Sequence, residues 1–360
     1  VQTRSTIPRF YANQENSMQH RNALKCIGAT LLSLYGADVL AAEASGKRPN
    51  ILFCIADDAS WMSMSAYGCT YVRTPSFDRL AREGILFRNC FTTNPKCSPS
   101  RATLLLEELG ELDNTLIVAT ADNGMPFPRV KGQVYDDDFH LPLAIRWGRA
   151  SKGGRVVGDF ISFSDMAPTF LEAAGLSPLA EMTGRSFLQV LIASGSGQID
   201  PRRDRIIVGK ERHDIGRPGD VGYPVRAIRT RQYLYVRNFK PDRWPAGNPE
   251  TGYTNVDDSP TKRLLLEQHD TGNDRYYKLS TGKRPAEELY DLAKDPHCME
   301  NLAGDAKLAQ IKTQLWEEMR AVLVAQKDPR ILGNGAIFDS YQYVGPKGHS
   351  WDAVMGKKQP

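Results

Sequence analysis

The sequence predicts an α/β fold: a mostly parallel central sheet flanked by helices, followed by a smaller C-terminal antiparallel α+β unit. Three observations carry that prediction. Short, nearly continuous apolar runs at 50–56 and 115–120 read as strands buried on both faces. Helix-length segments alternate with such runs, as crossovers between parallel strands require. Beyond residue 200 the strand-like runs crowd together, which favours antiparallel pairing. A chain of 360 residues is long enough for more than one domain. The boundaries are set at 1–44 for an extension and leader, 45–200 for the larger α/β unit and 201–360 for the C-terminal unit.

The leader comes first in order. Residues 18–25 form a short basic start, and residues 26–36 are apolar but too short to span a bilayer. Small residues around Ala42 and Ala44 stand at cleavage spacing. The pattern reads as a secretory signal peptide, with the alternative of a buried apolar helix. It predicts a secreted or periplasmic protein beginning between Ala42 and Ser45, with no stable membrane insertion. Residues 1–17 are polar and precede Met18.

A strand at 50–56 ends at Asp57-Asp58. Residues 74–83 read as a helix, with Thr74 as N-cap, Pro75 in the first turn and Gly84 as the stop. Residues 85–91 read as a strand, and a helix is expected to start at Ser98 or Ser100. Another strand at 115–120 ends at Asp122-Asn123-Gly124, a further one covers 141–147, and 165–174 reads as a helix stopped by Gly175. In the C-terminal unit, 206–209, 225–229 and 233–237 read as strands, the last two joined tightly by Arg231-Gln232. Residues 241–283, rich in Pro, Gly, Asp and Thr, read as an extended loop region. Residues 306–326 form an amphipathic helix with Leu308, Ile311, Leu315 and Met319 on one stripe. The tail from 327 reads as irregular.

Composition narrows the function classes. A net charge of +4 is weak for this length and argues against nucleic acid held by bulk charge. The arginines at 202, 203, 226, 229, 231 and 237 read as a solvated face, with a groove for an anionic substrate as the alternative. The six cysteines show no paired spacing, which argues against a zinc site or a disulfide scaffold. Cys54 and Cys90 lie in apolar runs and read as core residues. Cys97 differs, because Lys96, Ser98, Pro99 and Ser100 around it suit an exposed turn into a helix.

Two acidic pairs point to chemistry. Asp57 with Asp58, and Asp122 with Asn123, leave the ends of two strands, where ligands gather in open α/β sheets. Alone, each pair reads as a turn or helix cap. Together they offer three carboxylates and an amide oxygen, a hard oxygen set suited to Ca²⁺ or Mg²⁺. Between them lies Cys97-Ser98-Pro99-Ser100-Arg101-Ala102-Thr103-Leu104-Leu105.

That string resembles the signature of the type I, formylglycine-dependent sulfatases, of the alkaline-phosphatase-like superfamily. The resemblance runs from Arg48 to about Ala303. It includes Met182-Thr183-Gly184-Arg185-Ser186 and the block from Arg284 through Glu288-Leu289-Tyr290-Asp291-Leu292 to Asn301-Leu302-Ala303. Asp122-Asn123-Gly124-Met125-Pro126-Phe127-Pro128 and Tyr223-Pro224-Val225-Arg226 resemble the heparan N-sulfatase branch. The resemblance implies an alkaline-phosphatase-like sandwich. It also implies hydrolysis of sulfate esters or N-sulfates, on glycan sugars.

By the same resemblance, a formylglycine-generating enzyme converts Cys97, which becomes nucleophile and metal ligand beside Asp57, Asp58, Asp122 and Asn123. Arg101 stabilises the nucleophile. Lys131 binds the sulfate, with Arg129 as a substitute. Apart from the resemblance, His213 in Lys210-Glu211-Arg212-His213-Asp214 is a candidate near the substrate, its ordinary reading being a surface histidine. The helix after Arg101 runs straight into Glu107-Glu108-Leu109-Gly110-Glu111, which resembles a much later part of the family. A long middle segment is therefore expected to be absent between Leu105 and Leu106, together with the acid and base histidines it carries in the family. Two other readings stay open: a non-catalytic metal- and anion-binding remnant, and a hydrolase of phosphate or phosphonate esters.

Overall fold

The structure, a computed structural model, describes residues 48–92, 111–148 and 150–357. The leader, Cys97, Arg101 and the helix expected after Arg101 lie outside the described residues. In chain order the first elements are β1 (Asn50–Ala56), α1 (Pro75–Glu83), β2 (Ile85–Phe91), β3 (Thr115–Ala121), α2 (Asp136–Phe139), β4 (His140–Trp147) and β5 (Arg155–Ser162). Their strands form one sheet in the order β1-β3-β4-β2-β5. β1 pairs β3 and β2 pairs β5 in parallel, whereas β4 is antiparallel to both of its neighbours. Four strands thus share one direction, as expected of a mostly parallel sheet, with β4 reversed inside it.

Both faces of this sheet are covered. α1 starts at Thr74 with Pro75 in its first turn and ends at Gly84. Its Leu80 and Ala81 pack on Leu86, Ile117 and Ala144. On the opposite face, α3 (Met166–Ala173) and α4 (Leu188–Ile192) bring Met166, Val190 and Leu191 onto Phe87, Leu116, Val118, Leu143 and Ile145. Burial on both sides explains why β2, β3 and β4 read as continuous apolar runs rather than alternating ones; β1, at the sheet edge, buries only Cys54, which corrects its reading as a strand buried on both faces. β5 escapes that pattern because Gly158 and Asp159 break its apolar run. Asp159 is nonetheless fully buried, accepting the Ile199 and Asp200 backbone N–H groups at 2.8 and 2.7 Å.

The second sheet runs β6 (Arg205–Lys210), β7 (Val225–Thr230), β8 (Tyr233–Asn238) and β9 (Glu287–Asp291), in sequence order and antiparallel throughout. Arg231 and Gln232 alone join β7 to β8, as the sequence predicts. One face, through Val208, Val225, Ala227, Leu234 and Val236, packs on Phe91, Phe160 and the segment carrying Val134, Tyr135 and Phe139. Between β8 and β9 lie α5 (Pro260–Asp270) and α6 (Arg275–Thr281). After β9, α7 (Ala309–Ala325) covers the other face with Leu315, Met319 and Leu323 on Ile228, Tyr235 and Leu289. The tail adds two short helices, α8 (Ile337–Ser340) and α9 (Trp351–Gly356).

Three expectations are corrected. Residues 241–283 are not simply loop: α5 is capped by the Ser259 hydroxyl on the Lys262 N–H but buries no residue, so it carries no apolar stripe to announce it. The tail is partly helical. The arginine scatter is only partly a solvated face: Arg203, Arg226 and Arg229 are buried and ion-paired with Asp165, Asp328 and Asp136, whereas Arg202 and Arg231 are exposed.

Candidate metal centre

Strand register builds the acidic site. Ala56 of β1 pairs with Ala121 of β3, the last residue of each strand. The next residues, Asp57 and Asp122, therefore emerge side by side, and the Asp122 N–H continues the ladder to Ala56 O at 3.1 Å. Asp58 takes a left-handed conformation, φ 54°, which turns its N–H onto Asp122 Oδ1 at 3.2 Å. One carboxylate oxygen each from Asp57, Asp58 and Asp122 lies within 4.8 Å of the others.

Asn123 closes the group. Its Nδ2 donates to Asp58 Oδ1 at 2.5 Å and to Gly124 O at 2.8 Å, and its N–H donates to Asp122 Oδ1 at 2.9 Å. Asp122 Oδ2 and Asn123 Oδ1 are buried without a hydrogen-bond partner. Buried acceptors in that state cost about 1–3 kcal/mol each unless a ligand satisfies them. Burial pushes the Asp122 carboxyl upward against its backbone hydrogen bonds, and the Asp57 charge adds to the rise. A divalent cation would reverse both penalties. The donor set therefore fits a hard cation: carboxylates in excess, two orphaned oxygens, no nitrogen or sulfur among the described members.

Of the two cations after the turn, Lys131 and not Arg129 meets this group. Lys131 Nζ lies 2.8 Å from Asp58 Oδ1 and 3.1 Å from Asp257 Oδ2. Burial alone would lower its pKa, but the hydrogen bonds to Asp58 and Asp257 outweigh it and hold Lys131 charged above its ordinary range. Arg129 is committed elsewhere: its Nη atoms donate to Leu279 O and Cys298 O, and its guanidinium stacks 4.1 Å from the Tyr135 ring. That is a structural role, which corrects its candidacy as a substrate contact.

His213 comes close. A Cβ placed on Gly132 would lie 2.8 Å from its ring Cδ2, so the imidazole packs on the residue next to Lys131. His140 does not approach through either ring nitrogen, which meet Asp136 Oδ2 at 3.0 Å and Arg88 O at 2.7 Å.

The turn is held from behind by Asp138, fully buried, whose carboxylate accepts the Gln133 N–H at 3.0 Å. Burial pushes its carboxyl up and the facing Lys210 ammonium down. Gly124 is needed here for space and not for a positive φ, because a Cβ would sit 2.4 Å from Asp137 O. Asp257 and Asp138 are contributions the sequence does not announce. Asp257 lies in a segment without periodicity, and Asp138 reads as one of three consecutive aspartates.

Comparison with known proteins adds independent findings. Residues 49–106 match the sulfatase family, and residues 130–244 match the C-terminal region of N-sulphoglucosamine sulphohydrolase. An ulvan-active sulfatase of Formosa agariphila is 31% identical over 230 residues, covering 62% of this chain and 35% of that protein. The N-sulphoglucosamine sulphohydrolase of Homo sapiens is 27% identical over 262 residues, covering 66% of this chain and 47% of that protein. The chain thus spans about a third to a half of the length of these relatives. The solved structure of Ps i-CgsB is similar with a TM-score of 0.52 at 12% identity, covering 82% of this chain and 98% of that one. That likeness concerns the fold alone.

Proposed function

The chain belongs to the sulfatase family, and from that membership we propose that it binds sulfate esters or N-sulfates of glycan sugars at the Asp57-Asp58-Asp122-Asn123-Lys131 site. The observation that carries the proposal is the convergence of three carboxylates with two orphaned acceptors and a half-buried lysine. Such a site pairs a cation with an anion beside it. Asp57, Asp58, Asp122 and Asn123 hold Ca²⁺ (Mg²⁺ being the alternative), which when bound supplies Lewis acidity toward a sulfate oxygen.

Lys131 offsets the negative charge of the sulfate. Asp58 orients Lys131, and Asn123 orients Asp58. Cys97, converted to formylglycine, is the proposed nucleophile, with Arg101 beside it. His213, packed on Gly132, is proposed as a substrate contact. The leader implies export, to the outside or the periplasm. None of the helices in the described residues is long and apolar enough to cross a membrane.

A second reading is favoured by one observation. The two family matches, 49–106 and 130–244, are separated only by residues 107–129, while the matched part covers only 35% and 47% of the two relatives. A shortened interior would leave a metal- and anion-binding site with little turnover.

The test co-expresses the chain with a formylglycine-generating enzyme. Cys97 is expected to react with a hydrazide probe, with no reaction in Cys97→Ala. Ca²⁺-dependent binding of an N-sulfated amino sugar is expected, and its loss in Lys131→Ala. A free thiol throughout and sugar binding indifferent to both Ca²⁺ and Lys131 would refute the proposal.

A further inference from the structure

We infer that Asp257 is a specificity-determining residue of this site, selecting sugars that present a hydroxyl or ammonium beside the sulfate and excluding those with a second anion there. The inference rests on the reading of Lys131 as the sulfate-binding cation. Lys131 has three N–H donors. One direction is occupied by Asp58 at 2.8 Å and another by Asp257 at 3.1 Å. The lysine side chain is 14% exposed, whereas the Asp257 side chain is 44% exposed. A ligand bound to Lys131 Nζ therefore lies beside the Asp257 carboxylate, the more exposed member of the pair.

The carboxylate is presented by an anchored loop. Lys262 Nζ donates to Tyr253 O at 3.1 Å and Val256 O at 2.9 Å. Tyr253 and Val256 are buried in one apolar cluster with Ala246, with Trp244 packed against it. A carboxylate on such a support keeps its place when a ligand arrives, so its charge acts as a fixed filter.

The charge balance gives the direction of selection. Asp57, Asp58, Asp122 and Asp257 bring four negative charges, of which a divalent cation and Lys131 together offset three. Asp257 is left as an acceptor beside the sulfate. A neighbouring hydroxyl or ammonium can donate to it; a neighbouring sulfate or carboxylate is repelled and leaves lone pairs unmatched.

The experiment uses the full chain saturated with Ca²⁺ and measures binding calorimetrically. The probes are glucosamine N-sulfate and glucosamine 2-N,3-O-disulfate, the second carrying a vicinal anion. The wild type is expected to prefer the monosulfated sugar by about tenfold or more, as like-charge juxtaposition implies. Asp257→Asn, isosteric and uncharged, is expected to reduce that preference to about threefold or less with unchanged Ca²⁺ affinity. Lys131→Ala is expected to weaken both sugars alike. An unchanged preference in Asp257→Asn overturns the inference while leaving the sulfate site standing. A fall in Ca²⁺ affinity in that variant also overturns it, by assigning Asp257 to the cation. Binding of both sugars that Lys131→Ala leaves intact overturns the sulfate site, and the inference with it.

Discussion

Asp58 shows how much one residue at a strand end can do. Its φ of 54° is uncommon for a non-glycine residue. It lets the backbone N–H serve Asp122 while the carboxylate serves Asn123 and Lys131. Removing either Asp58 or Asp122 should therefore remove the cation site. At about 100 times its Kd, Ca²⁺ should stabilise the wild type by about 2.7 kcal/mol. Asp58→Ala and Asp122→Ala should show no such shift in a denaturation series with and without the ion. Equal shifts in all three proteins would place the cation elsewhere.

Gly124→Ala is expected to cost about 1–3 kcal/mol, because the new methyl meets Asp137 O, and to weaken Ca²⁺ binding by displacing Asn123. An unaltered melting curve for this variant would contradict the packing described. The acidic pairs were legible in the sequence because each directly follows an apolar run. Asp257 was not, because only the third dimension brings it to Lys131.

At the scale of elements, the sequence located most strands to within a residue or two and missed those whose cue is interrupted. β5 carries a buried aspartate satisfied by backbone N–H groups, and hydropathy reads that as a break. α5 buries nothing, so its start signals stand without a stripe. The arginines misled for a related reason: a cation on a strand reads as solvent-facing until its partner is known.

Arg229 Nε meets Asp136 Oδ1 at 2.8 Å, and His140 Nδ1 meets the other oxygen at 3.0 Å. Burial would raise the Asp136 pKa, but the His140 and Arg229 charges and hydrogen bonds outweigh it and hold the carboxyl well below the usual range. The sign follows. The depressed pKa contributes stability above the unfolded value of about 3.9, and this is lost as pH falls through the folded value. Asp136→Asn should cost about 3–5 kcal/mol at neutral pH by leaving Arg229 uncompensated. Its stability should also fall less steeply below about pH 4. Denaturant titrations at pH 7 and pH 3 that give parallel losses would refute this account. Met319→Ala, under the second sheet, should cost about 2–5 kcal/mol without touching Ca²⁺ affinity, since α7 covers the face away from the first sheet.

The whole molecule poses the question of turnover. A sulfatase site needs a group to accept a proton at the nucleophile and one to donate to the leaving group. Among the described histidines, His140 has both ring nitrogens engaged in a buried network. His297 meets Asp137, His349 meets Asp214 and His269 meets Asp274. His213 packs on Gly132, the neighbour of Lys131.

The near-abutment of the two family matches, in a chain whose matched part spans a third to a half of its relatives, supports an interior shortened between Leu105 and Leu106. We expect the chain with Cys97 fully converted to release sulfate about 10²–10⁴-fold more slowly than a family member that keeps its acid–base pair. Single-turnover sulfate release from an N-sulfated amino sugar measures this. Grafting the family's middle segment between Leu105 and Leu106 should restore the rate without altering Ca²⁺ affinity. Ordinary rates from the ungrafted chain would sink the shortening account and turn attention to His213. In that case His213→Ala should abolish the pH dependence of turnover near neutrality, whereas His140→Ala should act through stability alone. If neither substitution alters the pH profile, the proton-transferring group lies among the residues around Cys97.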